Sequence, residues 1–141
     1  MPGFRQLAIA LSLVATVACS NSVDLADPNV IAQELRGTWS RIIGPGSSTV
    51  LQLAVQDSTI AGTGTFAGEA GPSGTLVVTG RITTGDFGPF VNIDFTQSNG
   101  PIGHFTGGLT AANTLYGSVW YTATGFGTGD PVPGTFVRTA H

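Results

Sequence analysis

From Thr38 to Thr139 apolar and polar residues alternate with a period of two, broken at short intervals by glycine, proline, asparagine and serine. Such alternation marks strands with one face toward a core and one toward water. It predicts eight strands: Thr38–Ile43, Thr49–Gln56, Thr59–Ala67, Thr75–Ile82, Phe90–Thr96, Gly103–Thr110, Leu115–Thr122 and Thr135–Thr139. In the second, Leu51, Leu53 and Val55 share a face opposite Gln52, Ala54 and Gln56. In the fifth, Val91, Ile93 and Phe95 alternate with Asn92 and Asp94. One earlier segment, Asp27 to Leu35, predicts a two-turn helix. Asp27 suits the cap, Pro28 the first helical position, and Gly37 the stop.

Turn signals separate the strands: Gly44-Pro45-Gly46, Asp57-Ser58, Gly71-Pro72-Ser73-Gly74, Thr84-Gly85-Asp86, Ser98-Asn99-Gly100-Pro101, Ala112-Asn113, and a longer stretch from Gly125 to Gly134. Short connections make successive strands antiparallel neighbours. A meander of this size has two raw edges unless it closes, so the expected fold is an all-β, eight-stranded, antiparallel up-and-down barrel behind a short helix. A two-sheet sandwich is the alternative. Gly62, Gly64, Gly80, Gly107 and Gly117 fall inside strands, where glycine permits tight coiling or leaves interior room.

The first residues follow another pattern. Arg5 precedes an apolar run from Leu7 to Val17, about half the length of a membrane-spanning helix. A short apolar run behind one positive charge and before small residues reads as a signal peptide, residues 1–18. Ala15-Thr16-Val17-Ala18-Cys19 resembles the lipobox of bacterial lipoproteins, although Thr16 stands where leucine is usual. That resemblance implies a lipidated Cys19, a tether over 19–27 and a barrel domain over 28–141. It also implies a lipid anchor in the bacterial cell envelope. Ser20, with no aspartate at that place, points to the outer membrane.

Composition narrows the functions. The chain has 141 residues, with 21 glycines, 19 threonines and no lysine. Without Arg5, four arginines face eight acids, a formal charge of −4. Nucleic-acid binding needs basic patches and is not expected. A single cysteine allows neither an internal disulfide nor a cysteine-built zinc site. No cofactor or metal motif is present in the sequence.

Gly37-Thr38-Trp39 opens the first strand just after the helix, and Arg138 lies in the last strand. Closure would bring Trp39 and Arg138 together. This pattern resembles the calycin superfamily of lipocalins, fatty-acid-binding proteins and avidins, in which a basic residue from the last strand covers that tryptophan. Leu76 to Arg81 is similar to an avidin strand. Ser40 and Arg41 follow Trp39 in place of the residues that read biotin in avidins, so the biotin pocket does not carry over. The resemblance implies a barrel that holds a small apolar ligand.

An eight-stranded barrel has room for its own side chains or one small ligand. Trp120, Tyr121, Phe105 and Phe95 are the candidate ligand-binding residues. Trp120 shares a face with Tyr116 and Tyr121 a face with Val119, and the pattern does not say which face turns inward. With Trp120 outward, a filled barrel would be a structural or interaction module of the envelope, working through Tyr116 and Trp120. Catalysis is not expected. His104 and Asp94 on adjacent strands resemble a base and its orienter, but a solvated cross-strand pair is the preferred explanation. Asp86 and Asp94 as a glycosidase pair have no further support. A membrane-spanning barrel is not expected either, because the strands are short and the faces opposite the aliphatic residues are polar.

Overall fold

The structure, a computed structural model, describes residues 23–44, 46–68, 71–97, 102–122 and 129–141, without the side chains of 71 and 72. The signal peptide, the lipobox and Cys19 lie outside the described residues. Eight strands follow one helix: α1 (Pro28–Glu34), β1 (Gly37–Gly44), β2 (Ser47–Gln56), β3 (Thr59–Gly68), β4 (Gly71–Gly85), β5 (Gly88–Gln97), β6 (Ile102–Ala111), β7 (Thr114–Thr122) and β8 (Val132–Ala140). Each strand pairs with its sequence neighbour, and β1 pairs antiparallel with β8, which closes the barrel. The up-and-down barrel is therefore the fold, and the sandwich is not.

The strands run longer than their alternation alone suggests. Gly71 to Gly74, expected as a turn, is the start of the 15-residue β4. Its pairing with β3 continues past Phe66 through a register shift to Gly68 and Gly71. Strands of 8 to 15 residues remove the length argument against a membrane barrel. Polarity still separates the two. A membrane barrel turns apolar residues outward, whereas here Gln52, Thr63, Thr79, Asn92 and Asp94 lie on the outside and Leu51, Val78, Val91 and Ile93 are buried inside.

Interior space is kept small by glycine. Gly107 and Gly117 face each other across β6 and β7. A Cβ on either would run into the other's backbone and into the carbonyl of Tyr116 or Thr106. Backbone approach, not ligand room, is what these inward glycines provide.

At one barrel end β1 begins, β8 ends and α1 closes the opening. The Asp27 side chain caps α1 by accepting the Asn29 backbone N–H at 2.8 Å. Ile31, Ala32 and Leu35 are buried against the strands. The other end, where β1, β3, β5 and β7 finish, is the mouth.

Candidate functional site at the barrel mouth

The helix end is paired throughout. Trp39, fully buried, donates its indole N–H to the Leu35 carbonyl at 2.8 Å. Arg138 stands opposite Trp39 across the β1–β8 seam, its guanidinium carbon 5.7 Å from the ring centroid. The same guanidinium donates to the Glu34 carbonyl and to Glu34 Oε2, both at 2.6 Å. A cation at the last turn of a helix also meets the negative end of its dipole. Arg36 donates to the Val55 carbonyl at 3.1 Å. Trp39 and Arg138 thus form, with Glu34, a seal joining the first strand, the last strand and the helix.

The mouth is built differently. A cavity of about 40 Å³ sits just inside it, lined by Thr49, Phe66, Leu76, Phe95, Gln97, Gly103 and Tyr121. Alternation along β5 and β7 brings Phe95 and Tyr121 to the inner face, where their rings meet edge to face at 6.0 Å. Glycine at 103 is required beside them, because a Cβ there would enter the Phe95 ring. The volume is enough for a few water molecules and well below the roughly 300–1,000 Å³ of drug-sized pockets. A broader hollow of about 440 Å³ crosses the outer face over Gln52, Thr63, Thr65 and Val77. It is an open surface among small polar side chains and encloses nothing.

Arg41 and Thr49 are the buried polar side chains among the described residues, and of the two Thr49 lines the mouth cavity. They are directly opposed residues of β1 and β2, and only 7% and 2% exposed. Neither side chain has a hydrogen bond or ion pair among the described residues. No polar side-chain atom among those residues is both unpartnered and fully sealed. The unpartnered guanidinium and hydroxyl groups therefore border solvent-sized space, which for Thr49 is the cavity itself. The Gln97 amide and Tyr121 hydroxyl, on the cavity wall, are also without a partner among the described residues.

The four expected ligand residues divide three ways. Phe95 and Tyr121 line the cavity. Phe105 is buried deeper, edge-on to Phe136 at 5.6 Å, as part of the core. Trp120 points outward and stacks on His104 at 5.3 Å, so it does not face the interior. His104 reaches Asp94 Oδ1 through Nδ1 at 2.7 Å and the Thr122 hydroxyl through Nε2 at 3.0 Å. That is the order of an acid–base–hydroxyl relay. It lies on the outer face of the barrel with Asp94 exposed, and the mouth cavity does not touch it. Asp86 is exposed in the β4–β5 turn region, away from any pairing with Asp94. Among the described residues no cluster of histidine, cysteine, aspartate and glutamate is suited to a metal ion.

Arg41, Thr49 and Gln97 were absent from the sequence-based site. Their signal was parity: Arg41 stands two places from inward Trp39, Thr49 two from inward Leu51 and Gln97 two from inward Phe95. No family model, no curated protein and no solved structure matches this chain.

Proposed function

We propose that this chain is a non-catalytic, lipid-anchored protein of the bacterial cell envelope whose calycin-like barrel binds a small apolar ligand at its mouth. The observation that carries the reading is the mouth cavity, where Phe66, Leu76, Phe95 and Tyr121 offer apolar surface beside unpartnered Thr49 and Gln97. Binding sites commonly combine an apolar lining with a few polar groups that fix orientation. The closed barrel and the Trp39–Arg138 pairing support the calycin likeness. The lipobox over Ala15–Cys19 supports the anchor.

A second reading has its own observation. A cavity of about 40 Å³ makes the barrel nearly full, and Trp120 and Tyr116 lie on the outside, Tyr116 half exposed. On that reading the protein is an interaction module using its outer face. Native mass spectrometry of protein purified from its own host separates the two. A co-purifying small molecule favours the first; a bare chain that no apolar probe binds favours the second. Substituting Cys19→Ser tests the anchor, and the expected result is release from membranes into the soluble envelope fraction. Retention on membranes contradicts it.

A further inference from the structure

At the end that α1 closes, β4 and β5 overrun their outer neighbours. Register pairing with β3 stops at Arg81 and with β6 at Val91. Beyond those residues β4 and β5 pair with each other, down to Gly85 opposite Gly88. The base of this hairpin is fixed, since Ile82 is buried and its N–H donates to the Ser58 carbonyl at 2.8 Å. Asp86 and Phe87 form the tip, and Gly88 follows at φ +105°, a conformation open mainly to glycine. Phe87 is fully exposed and is the most exposed large apolar residue among those described. Phe90, also exposed, sets its ring against Gly85 of the same hairpin. The N-terminal chain enters beside it, because Pro28 and Asn29 share a surface cleft with Asp57, Ser58, Ile82 and Thr84. Asp24 is tied to the entry of α1, its side chain accepting the Ala26 N–H at 3.0 Å and its carbonyl the Asp27 N–H at 3.2 Å. The stretch from Cys19 to Asp24 reaches at most about 18 Å when fully extended.

We infer that the β4–β5 tip is a second membrane contact, with Phe87 and Phe90 seated in the interfacial layer of the bilayer that holds the acyl chains of Cys19. This rests on the lipid-anchor reading above. So short a tether keeps the bilayer close to the helix end, and the hairpin is what that end extends beyond the barrel wall. Two phenylalanine rings bind a membrane weakly by themselves. Next to a covalent anchor the contact becomes intramolecular, and a modest apolar burial is enough to hold it. Asp27, Asp57 and Asp86 surround the hairpin, so the surface that fits is zwitterionic, since an anionic one would repel them. The contact fixes how the barrel stands. Its mouth, at the opposite end, turns away from its own bilayer and exchanges ligand with the aqueous side.

The test is tryptophan fluorescence of the full chain, purified from its own host and carried in phosphatidylcholine vesicles brominated on the acyl chains near the head group. Intact mass first establishes whether Cys19 is acylated. Phe87→Trp adds an indole at the tip to the native Trp39 and Trp120 and leaves the core untouched, because Phe87 is fully exposed. Ile42→Trp is the matching probe at the mouth rim, where Ile42 is 83% exposed. The added emission of Phe87→Trp is expected to shift to shorter wavelength and to be quenched by bromine, as for an indole at a membrane interface. That of Ile42→Trp is expected to be quenched no more than the emission of the unaltered chain. Replacing part of the lipid with anionic phosphatidylglycerol should weaken the quenching at Phe87→Trp, and a stronger signal overturns the choice of a zwitterionic surface. No quenching at Phe87→Trp in an acylated, vesicle-bound chain overturns the second contact and leaves the anchor standing. Quenching at Ile42→Trp as strong as at Phe87→Trp, or stronger, overturns the orientation. An intact mass without acyl chains overturns the anchor, and the inference with it.

Discussion

The two ends of this barrel put arginine to opposite uses. At the helix end Arg138 is held by two oxygens of Glu34 and lies over a buried indole that is itself hydrogen-bonded to Leu35. At the mouth Arg41 is more deeply placed than most charged residues and has no partner among the described residues. Paired polar groups fix a structure, whereas unpaired ones raise its free energy until something meets them. The difference is that the helix end is built for stability, whereas the mouth leaves polar groups open, which is why the proposed function places recognition there.

Substitutions can break or sharpen that contrast. Trp39→Ala should have the largest effect, a loss of about 3–5 kcal/mol in chemical denaturation, because it empties the packed end of the core. Arg138→Ala should cost about 1.5–3 kcal/mol through its charge-assisted bonds to Glu34. Together they should cost less than the sum, since the two side chains touch. Strict additivity would mean the seal is not one unit. Arg41→Met should go the other way and raise stability by about 1 kcal/mol, as an unpaired buried cation gives way to an apolar chain. A loss as large as that of Arg138→Ala would make the two ends alike and remove the contrast. His104→Ala should have the smallest effect, within about 1 kcal/mol, because the stacking on Trp120 and the bonds to Asp94 and Thr122 that it removes all lie on the solvated face. It should leave binding of an apolar probe at the mouth unchanged, which a titration with 1-octanol checks.

Much of the architecture was legible because a period of two is hard to mistake over eight segments. Strand order, closure and the Trp39–Arg138 meeting followed from antiparallel neighbours and from the need to hide two edges. The extent of β4 did not, since Gly71-Pro72-Ser73-Gly74 has the composition of a turn and only its pairing with β3 makes it strand. The face of β7 was also hidden. Trp120 and Tyr121 are adjacent aromatic residues, and alternation assigns them to opposite faces without saying which is inside. Neighbours settle it: Val119 is fully buried, so Tyr121 turns in and Trp120 turns out. Arg41 escaped notice because charge argues for exposure, and strand parity with Trp39 outweighs that argument here.

The central claim is that recognition belongs to the mouth and not to the sealed end. Nuclear magnetic resonance of the 15N-labelled full chain during a titration with 1-octanol, a small apolar probe, tests it most directly. The account predicts that the backbone amides of Thr49, Phe95 and Tyr121 shift together. It also predicts that the Trp39 indole N–H, bonded to Leu35, stays in place. Shifts centred on Trp39 and α1, with the mouth amides unmoved, would contradict it.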